Sequence, residues 1–514
     1  MNSHAHASGR ALGFWRRIDP TDRARALLAA VIFLVGAAVR LRMYLSGRSL
    51  WNDEAALAVN IVHRGLFGLF PPLEFRQVTP VGFLMLVKIL ESLLGNTEFV
   101  LRLIPLLAGL CVMPVAFVLA RRWSSGTTPW LSLALVAVAP ALLYYSSEFK
   151  QYSTDALAAL ILLLAGAACV HESAKSASLI RLGVASLVLS WISFPAIFVL
   201  GAVFGTLGLS YAIHRDWPRL RLSLGIALLL GLNFGLLYFS SMRDAVAGTS
   251  HTEFWAAAFP PPLSGGGLPW YQAAFVALTN PLGAPIWVIA SAFFVLGFIS
   301  LSVRRWEWAS MFAVSILLTF AAAALRLYPF ADRLLLFTIP PVLILTAEGV
   351  ERVRHLLSRR SPILAHLILA ACAVLLLFWP LREAFQAVQA PPMRDHIKPA
   401  LAHIRERRLD SDWVYLYYFA IPQFDYYASL YGLDHLARVD GVESRGAEVA
   451  YRDQLESLAG TPRIWFIFVH NYREGRIDEQ QYFLRQLDRL GTRLDEFYSS
   501  GTTIFLYDLT KPPT

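Results

Sequence analysis

Pro80-Val81-Gly82-Phe83-Leu84-Met85-Leu86-Val87-Lys88-Ile89-Leu90-Glu91-Ser92-Leu93-Leu94 is apolar enough to enter a membrane, yet it is only about 15 residues long and carries Lys88 and Glu91. A helix that crosses needs about 20 apolar residues, whereas a shorter amphipathic one lies at the interface. The choice decides the fold, because a crossing here would invert the side of every later loop.

The basic residues arbitrate. Beyond this stretch, apolar runs recur near 101–120, 129–145, 154–171, 179–194, 196–214, 221–241, 284–303, 308–325, 334–350 and 362–380, after a first run from Ala26 to Leu45. If 80–94 does not cross, Arg121-Arg122, Lys175 with Arg181, Arg215 with Arg219 and Arg221, Arg304-Arg305, and Arg352, Arg354, Arg359 and Arg360 all fall on one side. If it does cross, that side keeps only Lys150, Arg243, Arg326 and Arg333. Basic loops stay in the cytoplasm. The sequence therefore predicts a polytopic α-helical membrane body of about 11 spans with a cytoplasmic N-terminus. Residues 46–100 form an outer loop holding two interfacial helices, Ala55 to Phe70 and Pro80 to Leu94.

Composition agrees. The chain of 514 residues is 56% hydrophobic and 16% charged, with a mean hydropathy of +0.51, too apolar for a soluble globular protein. The net charge of +9 is split into short loop clusters rather than one continuous face, so no nucleic-acid partner is expected. No Gly-rich phosphate loop follows a strand. Cys111, Cys169 and Cys372 lie within apolar runs and suggest neither a disulfide framework nor a zinc site. Arg10, Arg16, Arg17, Arg23 and Arg25 before the first run resemble a signal peptide, but the run is long enough to be an uncleaved helix. The loop from Met242 to about Pro281 holds His251-Thr252-Glu253, Pro260-Pro261-Pro262 and Gly265-Gly266-Gly267. It reads either as a mobile cover over a cavity or as a plain connector.

After Leu381 charged residues become frequent and apolar runs shorten. Strands are expected at 412–419, 463–469 and 502–507, with helices near 395–408, 447–458 and 477–490. The division is a transmembrane domain over 1–381 and an extracytoplasmic α/β domain over 382–514.

On the predicted outer face three polar stretches meet: Trp51-Asn52-Asp53-Glu54, Ser146-Ser147-Glu148-Phe149-Lys150-Gln151-Tyr152, and Arg326-Leu327-Tyr328-Pro329-Phe330-Ala331-Asp332-Arg333. An Asp-Glu pair at a cavity lip can supply a general base for a hydroxyl acceptor, with the second carboxylate orienting the acceptor or helping to hold a divalent cation. Lys150, Arg326 and Arg333 suit an anionic phosphate leaving group. Arg40, with Arg42, sits near the outer end of the first span and invites the same reading. Bland alternatives stand beside each of these. The Asp-Glu pair can mark the water boundary, and Arg40 can snorkel to head groups. Glu148 and Lys150 can flank a helix start, Tyr144, Tyr145 and Tyr152 can belong to an aromatic belt, and Asp332 can pair locally with Arg333.

Ser-Leu-Trp-Asn-Asp-Glu-Ala at 49–55 after the first span, Thr79-Pro80-Val81-Gly82-Phe83, and Leu101-Arg102-Leu103-Ile104-Pro105 resemble the GT-C membrane glycosyltransferases. The likeness is to the bacterial branch related to protein O-mannosyltransferases and lipid A aminoarabinose transferases, and it covers roughly the first 350 residues. Glu148-Phe149-Lys150-Gln151-Tyr152 looks like that branch's Glu-x-Arg-x-Tyr stretch, with Lys150 where Arg is more usual. Tyr328 to Leu335 looks like its late Arg-bearing outer loop. Thr79 stands where a His, Lys or Pro is often seen.

The resemblance implies an inverting transfer from a polyprenyl-phosphate-linked sugar to a lipid, glycan or protein acceptor of the cell envelope, at the outer face of a bacterial inner membrane. It makes Asp53 the candidate base and Glu54 its partner or a metal contact. Lys150, Arg333, Arg326 and Arg40 become donor-phosphate ligands, and Glu148, Tyr152 and Asp332 other cavity residues. No metal ligand is assigned. The alternative is a transporter or flippase of lipid-linked saccharides, although matching broken helices in the two halves are not visible.

Overall fold

The computed structural model describes residues 20–510 apart from 125, 171–175, 244–253, 263–266, 284, 286, 445–447 and 475–476. Arg10, Arg16, Arg17, Lys175, His251-Thr252-Glu253 and Gly265-Gly266 lie outside the described residues.

Nine helices among the described residues are long and apolar enough to cross a membrane: Arg23–Tyr44, Glu98–Trp123, Tyr152–Cys169, Ala196–Ile213, Trp217–Ser241, Trp287–Arg304, Trp306–Ala324, Asp332–Ser358 and Pro362–Gln389. Their outward faces are apolar, with Leu27 67% and Leu34 63% exposed on the first, as lipid contact requires. The chain is a multi-pass membrane protein. The other two expected spans are shorter apolar helices, Thr128–Val138 and Ser176–Ile192.

Proline explains the first of these. Pro140 lacks an N–H and drives Ala139 out of the helical region, splitting the expected 129–145 span into Thr128–Val138 and Pro140–Tyr145. The break strips the carbonyls of Val136 and Ala137 of their helical donors. Arg40 replaces them. Its guanidinium donates to Ala137 O at 2.8 Å, Val136 O at 3.2 Å and Gly36 O at 3.1 Å, and it is fully buried. The expectation that Arg40 binds donor phosphate is thereby corrected: it seals a broken helix inside the body.

Between 46 and 100 no helix reaches spanning length. Asn52–His63 and Val81–Leu94 are joined by short 3₁₀ turns at Leu66–Leu69 and Glu74–Arg76. At about 1.5 Å per residue the second helix covers roughly 21 Å, short of a hydrocarbon core of about 30 Å. Lys88 on this helix donates to Ile61 O at 2.8 Å and pairs with Glu91 at 3.0 Å, so both of its charges are satisfied locally.

The body closes tightly where glycines meet backbone. Trp287–Arg304 and Ile339–Ser358 cross with Gly297 against Leu345 O and Gly349 against Phe293 O; a Cβ at either would lie within 2 Å of the facing oxygen. Near this crossing Arg304 and Arg352 each reach Glu348 at 2.6 Å, and Arg354 reaches Glu351 at 2.5 Å. These basic loops gather at one end of the body.

The C-terminal domain covers the other end. Its five-stranded sheet runs β2-β1-β3-β7-β6, with β1 (Trp413–Leu416) parallel to β2 (Ala437–Asp440) and β3 (Ile464–Val469). Strand β7 (Thr502–Asp508) is antiparallel to β3 and to β6 (Thr492–Ser499). A short β4–β5 hairpin, Arg473–Glu474 with Ile477–Asp478, stands apart. The three strands read from sequence are the buried central ones; β2 and β6 are polar edge strands without an apolar run. Helices Lys398–Arg407, Glu448–Glu456 and Glu479–Leu490 fall where the polar-apolar patterns place them. The last long helix, Pro362–Gln389, runs through Pro380 and past the expected boundary at 381, so the composition change there falls within a continuous helix.

Domain and first loop are knitted together. Leu50 N donates to Tyr427 Oη at 2.7 Å, Gln423 Nε2 to Leu50 O at 2.6 Å, and Lys398 Nζ pairs with Glu98 at 2.8 Å.

Candidate functional site

Asp53 lies in the first turn of the helix Asn52–His63. Its Oδ2 is 3.0 Å from Arg333 Nη1, and its Oδ1 is 3.9 Å from Lys150 Nζ and 3.5 Å from Gln77 Nε2. Gln77 Oε1 accepts from Lys150 Nζ at 2.6 Å, closing the group. Three segments far apart in sequence thus converge on one carboxylate. Aromatic rings wall the guanidinium of Arg333, with Trp255, Tyr152 and Trp51 at 5.6, 5.7 and 6.0 Å. Burial works to raise the pKa of Asp53, but Lys150 and Arg333, with the bond from Gln77, outweigh it and hold the carboxyl below its ordinary range. Burial draws the Lys150 ammonium below its usual value, with Asp53 opposing.

Glu54 is turned the other way. Arg102 Nε reaches its Oε1 at 2.8 Å and Arg102 Nη2 its Oε2 at 2.6 Å; the N–H of Phe149 donates to Oε1 at 2.6 Å and that of Trp51 to Oε2 at 3.3 Å. Arg102 also donates to the carbonyls of Arg48 and Ser49, each at 3.0 Å. Glu54 is 0% and Arg102 2% exposed. Successive helical residues point about 100° apart, so Asp53 can face Lys150 and Arg333 while its neighbour enters the body. The expected partner role of Glu54 is replaced by a structural one: it clamps the first loop to the helix Glu98–Trp123 and to the 146–151 turn.

Glu148 is fully buried, and neither of its carboxylate oxygens has a hydrogen-bond partner among the described residues. Burial, reinforced by Glu54, holds its pKa above the ordinary carboxylate value. Arg326 is exposed in a left-handed turn after Trp306–Ala324 and forms no ion pair with the described residues; it is not among the groups around Asp53. Asp332 is exposed with φ 43°, and the turn sends its neighbour Arg333 to Asp53 instead of into a local pair.

No protein-family model matches the chain, and no curated protein matches it by sequence. Solved structures do. ArnT from Cupriavidus metallidurans, in the apo state, superposes with a TM-score of 0.58 at 16% identity, covering 95% of this chain and 98% of that one. The same protein bound to undecaprenyl phosphate gives 0.57 at 15% identity, with 95% and 98% covered. The archaeal oligosaccharyltransferase AglB from Archaeoglobus fulgidus, in complex with an inhibitory peptide and a dolichol-phosphate, gives 0.52 at 12% identity, covering 94% of this chain and 74% of that one.

The fold is that of ArnT and AglB. Within this fold several residues join the site that sequence reading did not assign. Gln77 precedes the quoted Thr79-Pro80 stretch in a loop that also holds Glu74 and Arg76, so its polarity did not set it apart. Trp255 comes from the 242–281 loop, which thereby reaches the site rather than merely connecting spans. Arg394, from the connection into the C-terminal domain, stacks over Trp51 at 4.8 Å and Tyr144 at 4.9 Å. Arg48 stacks over Tyr144 at 5.2 Å and donates to Ser147 O at 2.6 Å. Neither arginine is marked by any motif.

A divalent cation shared by Asp53 and Glu54 does not fit these residues. Both oxygens of Glu54 face Arg102, those of Asp53 face cations, and no group of three or more His, Cys, Asp or Glu that could hold a metal occurs among the described residues.

Proposed function

We propose that the chain is an inverting glycosyltransferase that moves a sugar from a polyprenyl-phosphate donor to a hydroxyl acceptor of the cell envelope. We place it in the bacterial inner membrane with Asp53 and the C-terminal domain on the extracytoplasmic side. The observation that carries the reading is the convergence of Lys150 and Arg333 on Asp53. One carboxylate between two cations leaves positive charge for a phosphate, and Arg394 at the rim adds to it. An acceptor hydroxyl entering beside Asp53 meets a base next to the anion that departs. The structural neighbours captured with undecaprenyl phosphate and dolichol-phosphate lend support.

Purified protein incubated with a panel of polyprenyl-phosphate sugars should release free polyprenyl phosphate. Movement of the intact donor across the bilayer without release would instead establish a flippase. Removing Lys150 or Arg333 as Lys150→Ala or Arg333→Ala should cost about 1.5–3 kcal/mol of donor interaction, roughly ten- to hundredfold in transfer efficiency. Undecaprenyl phosphate binding to each variant checks this directly, and unchanged affinity in both would remove the phosphate from this position.

Sidedness is tested by labelling. In a cysteine-free background, the exposed positions Arg121→Cys and Ser457→Cys should react with an impermeant maleimide from opposite sides, Ser457→Cys from the outside. Labelling of both from one side would overturn the arrangement.

A further inference from the structure

At the end of the body away from the C-terminal domain, the buried acids Glu348 and Glu351 are already taken. Arg304 and Arg352 share Glu348, and Arg354 holds Glu351. Hydroxyls of Ser124, Thr128 and Ser300 also donate to Glu348, and that of Thr127 to Glu351. Arg122 and Arg305 lie at the same end, one at the close of Glu98–Trp123 and the other just before Trp306–Ala324. Neither forms an ion pair, and neither guanidinium a hydrogen bond, with the described residues.

These two arginines line one cavity. The C-terminal ends of Glu98–Trp123 and Tyr152–Cys169 meet the N-terminal end of Trp306–Ala324 around an open space of about 450 Å³, lined by Arg122, Ala168, Arg305 and Trp308. That is the size of a small-ligand site. Arg305 stacks over the ring of the buried Trp308 at 5.3 Å, which fixes one guanidinium at the wall. Ala168 adds no more than a methyl group to the lining. Two residues before Arg305 stands Val303, 83% exposed, and directly after it Trp306, 37% exposed. An exposed aliphatic residue beside tryptophans at the end of a spanning helix marks the head-group level of a membrane.

We propose that this cavity binds an anionic glycerophospholipid, with its phosphodiester between Arg122 and Arg305 and its acyl chains along the apolar faces of the spanning helices. In the orientation proposed above this is a lipid of the inner leaflet. Guanidinium groups suit a phosphate because their N–H groups match its oxygens in pairs. Basic pockets between spanning helices on the cytoplasmic side take anionic head groups. Charge also sets the specificity. No Asp or Glu lines the cavity, so the ammonium of a zwitterionic head group finds cations and no partner.

The site lies at the opposite end of the body from Asp53 and does not depend on the transferase reading. A lipid held by Arg122 and Arg305 links the ends of two helices through its phosphate, and a ligand that binds only the folded state stabilises it by mass action. Arg121 supplies the contrast. It is as exposed as Arg122 but stacks over Phe117 and does not line the cavity, so it reports the general pull of a basic surface on anionic lipid.

The test titrates the full chain in detergent with dioleoylphosphatidylglycerol or dioleoylphosphatidylcholine, counting bound lipid by native mass spectrometry and following the thermal unfolding midpoint. Phosphatidylglycerol should be retained and raise the midpoint, and phosphatidylcholine should do neither. Arg122→Gln and Arg305→Gln should each weaken phosphatidylglycerol binding about tenfold, the usual loss of a charge-assisted contact. Ala168→Phe keeps every charge but fills the cavity, and should weaken binding as well. Arg121→Gln should leave it unchanged. Substitutions of exposed arginines disturb folding little, so the arginine variants decide the matter even where Ala168→Phe does not fold. Equal retention of phosphatidylglycerol by the Arg122→Gln/Arg305→Gln protein would overturn the proposal, as would equal affinity for the two lipids or an equal loss in Arg121→Gln. Inorganic phosphate that matches the stabilisation by phosphatidylglycerol would assign the cavity to a soluble anion and overturn the lipid. Transfer is not measured, so failure of the donor panel leaves this result standing.

Discussion

Asp53→Asn is expected to lower transfer by about 10²–10⁴-fold, the usual contribution of a positioned base, while the protein still folds and still binds undecaprenyl phosphate. The amide keeps the size of the side chain and can accept a hydrogen bond from Arg333, which now stands 3.0 Å away. It removes the negative charge that takes up the acceptor's proton. Loss of that charge leaves Lys150 and Arg333 facing each other without a counter-ion, which favours an added phosphate and so should hold or tighten donor binding. Transfer rate and donor affinity are therefore predicted to part company. Transfer within a few-fold of the unmodified protein would return Asp53 to the role of a boundary residue.

One position along the chain the expected effect has a different kind. Glu54→Gln should destabilise the folded protein by about 3–5 kcal/mol, because it leaves the guanidinium of Arg102 buried without its carboxylate. Burial makes this severe: Arg102 is 2% exposed and its partner 0%, so water cannot replace the lost charge. Thermal unfolding and yield in membranes should fall sharply in Glu54→Gln and stay near normal in Asp53→Asn. Any folded Glu54→Gln fraction should show donor affinity close to normal. Replacing both partners with apolar residues, as Glu54→Leu with Arg102→Met, should recover part of the loss, since no charge then remains buried. Recovery will be incomplete, because Arg102 also holds the carbonyls of Arg48 and Ser49. A Glu54→Gln protein of normal stability but no transfer would restore Glu54 to the chemistry.

The amino-acid sequence by itself determined the membrane class and the shortness of the 80–94 helix, along with the three central strands of the C-terminal domain. Each is written in local quantities: the length of an apolar run, the side on which arginines accumulate, the alternation or continuity of apolar residues. Three polar stretches also announced themselves, because charge in an apolar chain is conspicuous. What each charge does was not local. Asp53 and Glu54 are adjacent and chemically alike, and only the helical turn between them sends one toward Lys150 and Arg333 and the other to Arg102.

Arg40 and Arg333 were equally prominent in sequence. The break at Pro140 provides bare carbonyls for Arg40, and the turn at Asp332 delivers Arg333 to the site. Gln77, Trp255 and Arg394 carry no motif at all, being ordinary residues of loops and edges. They become members of the site only because the tertiary structure brings Trp255 to Arg333 and Arg394 to Trp51 at the end of the body where Asp53 lies. Proximity between segments hundreds of residues apart is set by packing of the whole chain, and no spacing along the sequence encodes it.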